Sequence, residues 1–415
     1  MANANTGDAF PPVHTIVVIG GGQAAGWALK TLRKEGFSGR LIMIADEVHP
    51  PYERPPLSKA ILSGDALPES VHLVRPEEFA ALDVETWQPE RATSIDRERR
   101  IVRTSGSREV QYDRLIIATG GTARKIPDDV VRTSSIAYLR TLDDALILST
   151  RLRSSRRILV IGGGWIGLEV AATARKLGCE VTLIEGAPRL CARSVPPCVS
   201  DFLAQIHREE GVDIRLDCAL TSLTDDPESE EGIVATFSDG SVLKADFAIA
   251  GIGLNPSTDL AESAGLSVDN GVVVSAIGAT DDPAVFACGD VANHPNAWLK
   301  RRIRLESWAN AQNQAIATAR AALGLESSYE EIPWFWSDQY GVNLQILGDV
   351  SPHANLIVRG NIDARRATLF FLDGSTLRGV VAINSARDLK LARKWMNQHK
   401  SVTAAELQDE SRPLA

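Results

Sequence analysis

Two stretches of the chain repeat one layout: TIVVIGGGQAAGWALKTLRKEGFSGRLIMIAD (15–46) and RILVIGGGWIGLEVAATARKLGCEVTLIEG (157–186). Each reads as apolar strand, glycine turn, helix, second apolar strand and acidic residue. Such a turn uses glycine because the backbone must approach a phosphate with no Cβ in the way, and the following helix offers its first N–H groups to the anion. One copy alone could be only a tight strand-to-helix turn. Two copies in matching context predict two doubly wound nucleotide-binding domains. Gly20, Gly22 and Gly26 are the candidates to serve the first turn, and Gly162, Gly164 and Gly167 the second. Ala25 stands where the strict third glycine of the first turn would be, a change the pattern tolerates.

The acidic residue closing each unit can accept hydrogen bonds from a ribose diol and repels a 2′-phosphate. It is Asp46 in the first unit, with Glu47 beside it, and Glu185 in the second. Glu185 is followed by Gly186, Ala187 and Pro188, with Arg189 the nearest basic residue, so NADH is expected over NADPH.

Apolar strands ending at glycine recur in EVQYDRLIIATGG (109–121), VLKADFAIAGIGLNP (242–256) and DDPAVFACGDVAN (281–293). They suggest crossings between domains, the first domain being interrupted by the second and completed after it. The expected division is 1–125 for the first part of one domain, 126–244 for the inserted domain and 245–324 for the returning part. From about residue 325 the pattern changes to short β-type runs (NLQILG, NLIVRG, ATLFFLDG, TLRGVVAIN) and a helix over 386–399. Residues 325–415 therefore read as a smaller α+β domain.

A chain of 415 residues that is 44% hydrophobic can bury such cores, and a net charge of -9 without a Lys/Arg block argues against a polyanionic partner. The N-terminus has no basic region before its apolar segment, which is too short to span a membrane; with a polar tail of about a dozen residues, the chain reads as a soluble, cytoplasmic protein of bacterial type. Five cysteines in no CxxC or zinc array fit a reducing compartment, and the seven histidines show no metal spacing, so no metal site is assigned.

Together with PYERPPLSKAIL (51–62), YLRTL (138–142), FACGDVA (286–292), RLESWANAQNQA (304–315) and PWFWSDQYGVNLQILG (333–348), these units resemble the FAD-dependent pyridine-nucleotide oxidoreductases. Within them, the match is to the oxygenase-coupled ferredoxin reductases, among them reductases of biphenyl-type dioxygenases, putidaredoxin reductase and rubredoxin reductase. The resemblance covers nearly the whole chain after residue 13, and PPLSK and PWFWSDQ are its most specific pieces. It implies an α/β fold with two Rossmann-like, glutathione-reductase-like dinucleotide-binding domains plus the C-terminal α+β domain.

The resemblance also implies that the first unit holds FAD and the second NAD. Carried over, the FAD contacts are Gly20, Gly22, Ala24, Asp46, Arg54, Lys59, Ala92 by its backbone, Arg140, Asp290 and Trp308. The NADH contacts are Gly162, Gly164, Ile166, Gly167, Glu185, Arg193 and Gly251. Lys59 and Glu169 would form a pair at the hydride-transfer site, and Trp336 would border the surface through which electrons leave. The implied activity is that of an NADH:ferredoxin oxidoreductase, passing electrons singly to a 2Fe–2S ferredoxin of an aromatic-ring dioxygenase system that works in aromatic hydrocarbon catabolism. A ferredoxin is usually acidic, so docking is expected near Arg301, Arg302 and Arg304, with Lys390, Arg393 and Lys394. Residues 30–120 contain no cysteine, which leaves the family's dithiol and peroxide-reducing mechanisms without their thiolate.

The alternatives are a reductase for a P450 redoxin or rubredoxin and, in another class, a flavin-holding interaction protein resembling apoptosis-inducing factor. The second would call for a targeting segment and a strongly basic surface. An NADH:quinone reductase would want an apolar or amphipathic C-terminus, whereas AAELQDESRPLA is polar and acidic.

Overall fold

A computed structural model of the chain describes residues 13–229, 232–350 and 355–414. The polar N-terminal tail expected from the sequence lies outside these. The chain forms two compact units: the first takes residues up to Glu53, His72–Gly121 and Pro256–Glu331, the second Arg54–Val71, Thr122–Asn255 and the residues from Ile332 onward.

In the first unit a five-stranded parallel sheet runs in the order Val285–Ala287, Arg114–Ile117, Thr15–Ile19, Arg40–Ile44, Glu85–Trp87. Beyond their first residues (Arg114, Thr15 and Arg40) its central strands are apolar throughout, because both faces are covered, as a parallel sheet requires. Val17, Ile19, Ile42 and Ile44 join one core, while Ile16, Val18, Leu41 and Met43 join another under helices Gln23–Lys34 and Trp308–Ala322. Fully burying such a side chain contributes about 1.5–3 kcal/mol.

The second unit has its own parallel sheet with the same plan: Ile136–Tyr138, Phe247–Ala250, Arg157–Ile161, Glu180–Ile184, Val212–Arg215. Phe247–Ala250 was expected in the returning part of the first domain. It pairs instead with Arg157–Ile161, in the place that Arg114–Ile117 holds beside Thr15–Ile19, and the chain returns to the first unit only at Pro256. The reason is register: Gly251 N donates to Ile161 O just as Ala118 N donates to Ile19 O, both at 2.8 Å, so each strand completes the sheet of its own glycine turn.

Residues 334–383 form a five-stranded antiparallel sheet, ordered Trp334–Gln339, Val342–Gly348, Thr376–Ile383, Arg366–Asp373, Asn355–Asn361. Helix Ala386–Asn397 packs on it through Leu389, Ala392, Trp395 and Met396. Leu344, Leu369 and Phe371 enter the same core as Leu168 of helix Trp165–Lys176 and Phe202 of helix Pro197–Glu209, so this sheet belongs to the second unit. Among the described residues no helix is long and apolar enough to cross a membrane.

Candidate functional site

The two glycine turns superpose in their bonding. Gly20 N donates to Ile44 O and Gly162 N to Ile184 O, both at 2.8 Å. Gly20 (φ +126) and Gly162 (φ +106) adopt a backbone that L side chains rarely enter. A Cβ at Gly162 would lie 2.6 Å from Gly251 O, and one at Gly20 would overlap Ala118 O in the same way. Gly251 is thus brought against the second turn. A Cβ at Gly167 would overlap the Gly162 carbonyl, whereas one at Gly164 would make only an ordinary contact, 3.9 Å from Gly251 O. Gly26 departs from its expected role: its N–H is spent on Gly22 O, and its missing Cβ lets Pro51 and Leu73 pack on the helix.

Helices Gln23–Lys34 and Trp165–Lys176 both begin at an extended glycine, Gly22 and Gly164, with no side-chain cap and no acidic residue in the first turn. Both end in basic residues, Arg33 and Lys34 or Arg175 and Lys176. By contrast helix Leu142–Ser154 carries a complete capping box from Thr141 and Asp144. The two turn helices therefore keep their first N–H groups unspent and their positive dipole ends unopposed, which fits a pyrophosphate on each. Ala24 lies buried in the first turn of its helix, and Ile166 is an apolar side chain 45% exposed in the first turn of the other.

Glu185 accepts hydrogen bonds from Gly163 N (2.6 Å) and Ala187 N (2.8 Å) and so stands over the second turn. Strand register places Ala45 opposite it in the first unit, since Ala45 N bonds Trp87 O as Glu185 N bonds Arg215 O. Asp46 is therefore one residue further along, exposed and 3.8 Å from Arg91. Arg189 donates to Val195 O, Ala192 O and Ser200 Oγ, so its guanidinium is committed to the unit's own backbone. Arg193 is exposed.

Elsewhere in the first unit, Ala92 opens strand Ala92–Asp96 opposite Thr104, and Asp290 sits in the turn Gly289–Val291 at the end of a sheet strand. Arg304 donates to Asp290 O, and Gln314 Oε1 takes Gly289 N at 2.9 Å. Gln314 is fully buried, yet its Nε2 has no hydrogen-bond partner among the described residues. A buried amide donor left open beside this turn is the kind of group that a polar ligand satisfies. Trp308 starts its helix, and its carbonyl accepts from Gln23 Nε2 at 2.9 Å.

In the second unit Arg54 donates to Arg140 O at 2.5 Å, so these two candidates are neighbours. The helix after the second turn carries Glu169, only 4% exposed. Its Oε2 meets Lys59 Nζ at 2.7 Å and Ser58 Oγ at 2.5 Å, and its Oε1 accepts from Ser337 Oγ at 2.6 Å. One turn on, Thr173 Oγ1 donates to Ser58 O at 2.7 Å, so the helix grips the PPLSK segment twice. The pair expected at the hydride-transfer site is an ion pair here. Ser58, Ser337, Gln339, His207 and Gln314 were not anticipated. The first three lie inside the two most specific motifs, where their position was the only available signal.

Trp336 stacks on Trp334 at 5.0 Å and 19°, and the Arg393 guanidinium lies 5.2 Å over Trp334. Phe335, on the opposite face of the strand, packs on Trp165 at 5.0 Å. Of the expected docking cations, Arg304 is paired to Glu306 with its side chain 9% exposed, and Arg302 donates to Val274 O and Asn293 O. Arg304 therefore braces its hairpin rather than standing ready as a surface charge, which corrects the expectation for it, while Arg302 remains exposed as it bonds the backbone. Arg301, Lys390 and Lys394 are exposed. All five cysteines are free, and burial pushes each thiol up, Cys288 to about 12. None is poised as a thiolate.

Residues 14–315 match the family described as pyridine nucleotide-disulphide oxidoreductase, and residues 334–415 match a reductase C-terminal family. The chain is 38% identical to a putidaredoxin reductase of Pseudomonas putida, covering 96% of this chain and 95% of that protein. It is 37% identical to the ferredoxin–NAD(+) reductase component of the p-cumate 2,3-dioxygenase system of the same organism, covering 97% and 98%. Among solved structures, the covalent putidaredoxin reductase–putidaredoxin complex matches with a TM-score of 0.91 at 37% identity, covering 96% of this chain and 97% of that one.

Proposed function

The chain belongs to the pyridine nucleotide-disulphide oxidoreductase family, and from that premise we propose that it is an NADH-dependent FAD flavoprotein that reduces a small 2Fe–2S ferredoxin of an aromatic-ring dioxygenase system. The observation that carries this reading is the pair of equivalent glycine turns, each feeding a helix with an uncapped, acid-free N-terminus. Two such ends call for two dinucleotides. With no thiol poised for attack, the electrons leave by transfer to a partner rather than through a dithiol.

Gly20, Gly22, Ala24, Asp46, Ala92, Asp290 and Trp308 of the first unit would hold FAD, with Gln314 as a further donor. Of the second unit, Arg54, Lys59 and Arg140 are assigned to FAD. Residues 122–255 would form the NAD domain, with Gly162, Gly164, Ile166, Gly167, Glu185, Arg193 and Gly251 as its contacts. Bound FAD supplies the ability to take two electrons together and release them singly. The chain's own part is to orient the nicotinamide and to fix a positive charge: Glu169 holds the Lys59 ammonium in one place instead of letting four methylenes swing it. Trp336 would border the exit surface, and the cations of helix Ala386–Asn397 would receive an acidic partner. Free cysteines with raised thiols fit a cytoplasmic location.

A second reading, reductase for a P450 redoxin or a rubredoxin, is supported by the near equality of the two identities, 38% to a putidaredoxin reductase and 37% to a dioxygenase-system reductase. One experiment tests both. The purified holoprotein is titrated anaerobically with NADH while the flavin spectrum is followed, and then a dioxygenase 2Fe–2S ferredoxin, a P450 redoxin and a rubredoxin are added in turn. Bleaching by NADH followed by fastest reoxidation with the dioxygenase ferredoxin is expected. Absence of bleaching overturns the proposal, and bleaching without transfer to any acceptor favours an interaction protein.

A further inference from the structure

Glu169 is the end point of a chain of hydrogen bonds that runs through the C-terminal sheet. Ser337 Oγ lies 2.6 Å from Glu169 Oε1 and 2.9 Å from Gln339 Nε2. Gln339 Oε1 lies 2.7 Å from His207 Nε2, and His207 Nδ1 lies 3.3 Å from the Tyr340 hydroxyl. Ser337, Gln339 and His207 are all buried, and His207 is completely so.

The direction of every bond follows from proton counting. A carboxylate only accepts, so the single Ser337 proton goes to Glu169. Ser337 must then accept from Gln339, which fixes the amide with its NH2 toward Ser337 and its oxygen toward His207. That oxygen needs a donor, so His207 carries its proton on Nε2 and offers Nδ1 to the Tyr340 hydroxyl. Burial, which pushes the imidazole down to about 4, keeps it neutral and leaves this tautomer in place. The dipoles of the chain all point the same way and end on the Glu169 charge.

Strand alternation explains how one segment serves two purposes. Along Trp334–Gln339 side chains project to alternate faces, so Ser337 and Gln339 share a face with Phe335, while Trp334 and Trp336 share the other. The strand's register therefore sets the tryptophan pair and the carboxylate clamp together.

We propose that Ser337, Gln339 and His207 are positioning residues for the Lys59–Glu169 pair, holding the Glu169 carboxylate in the orientation that fixes the Lys59 ammonium for hydride transfer. The inference rests on the reading of that pair as part of the hydride-transfer site. Nothing in it concerns nucleotide affinity, which the glycine turn provides.

The test uses the holoprotein with Ser337→Ala, Gln339→Leu and His207→Leu, each of which interrupts the chain, and Ser337→Thr, which keeps the hydroxyl. Two quantities are read. One is the limiting rate of anaerobic flavin reduction at saturating NADH, alongside the NADH dissociation constant. The other is the rate of acylation of Lys59 in the resting protein by an amine-directed reagent, measured by peptide mass spectrometry. The three interrupting variants are expected to slow limiting reduction by about tenfold, to leave the dissociation constant within about twofold and to raise Lys59 acylation several-fold, with Ser337→Thr close to the parent. Flavin content and circular dichroism identify any variant that has failed to fold, and Ser337→Thr against Ser337→Ala then carries the comparison. Unchanged Lys59 acylation in the interrupting variants overturns the proposal. Glu169→Gln separates the underlying reading: if it leaves the limiting rate at the parent value, the pair has no part in hydride transfer and the assignment to that step falls, even where acylation shows the chain holding Lys59.

Discussion

His207 makes the stability of the second unit acid-sensitive in a window of its own. Burial holds its imidazole at about 4, against an ordinary value of 6.5. The unfolded chain therefore takes up a proton as pH falls below about 6.5, while the native protein refuses it until about 4. The contribution is fully present above 6.5 and is lost as pH falls through this interval. Each pH unit inside the window costs about 1.4 kcal/mol, so roughly 2 kcal/mol is gone by pH 5. Carboxylates held low by partners, such as Asp226 beside the Glu228 N–H and Lys244 and Asp246 beside the Arg157 N–H, lose their contribution only at lower pH. Between pH 7 and 5 histidine dominates, and His294 in the first unit, also held at about 4 by burial, serves as the internal control. Thermal unfolding of the parent and of His207→Gln, recorded from pH 8 to pH 5, separates the terms. The substitution keeps a donor for Gln339 but cannot titrate. At about 2–4 °C per kcal/mol for a unit of this size, the parent transition should fall about 4–8 °C further than that of the variant. Parallel lines for the two proteins over that range would refute the reasoning, whatever the offset between them at pH 8.

Three further outcomes are expected. Gly167→Ala places a methyl on the Gly162 carbonyl, backbone against backbone with no side chain able to give way, so NADH affinity should drop by at least about tenfold while FAD content holds; equal NADH dissociation constants would contradict the assignment of this turn. Replacing Glu185 by Ser together with Gly186→Arg removes the repulsion of a 2′-phosphate and adds a cation, since Arg189 is committed elsewhere. The ratio of kcat/KM for NADH over NADPH should then fall by about tenfold or more, and an unchanged ratio counts against Glu185. Neutralising Arg393 and Lys394 as glutamines should raise the apparent KM for ferredoxin several-fold and flatten its salt dependence while NADH-driven ferricyanide reduction persists; if neither moves, ferredoxin does not dock on that helix.

What could be read from the sequence was whatever is encoded within one supersecondary unit. The strand, glycine turn and helix of each repeat are local, and their equivalence reaches down to matched hydrogen bonds at 2.8 Å. The acidic residues show where local reading stops. Asp46 and Glu185 look equivalent as the acidic residue that closes the second strand of each unit, but pairing register, which depends on the neighbouring strands, aligns Glu185 with Ala45. Gly26 reads as a phosphate glycine until Pro51 and Leu73 are seen against it. Arg304 reads as surface charge until its pairing with Glu306 in the folded hairpin is seen.

The clamp on Glu169 was illegible for a related reason. A serine and a glutamine two apart in a strand are the ordinary pattern of a solvated face, and His207 is separated from Gln339 by 132 positions. What turns those residues from solvated to functional is the burial of their face by helices Trp165–Lys176 and Pro197–Glu209, a tertiary event that leaves no local trace. Once buried, each polar atom must find a partner or cost about 1–3 kcal/mol, and in this strand every partner leads toward one carboxylate. A buried polar run with no unsatisfied member and a charged end is costly to assemble for stability alone, since apolar side chains would fill the same space more cheaply. Its direction, ending on the residue that holds Lys59, is why the C-terminal sheet reads as part of the reaction machinery as well as a surface for a partner.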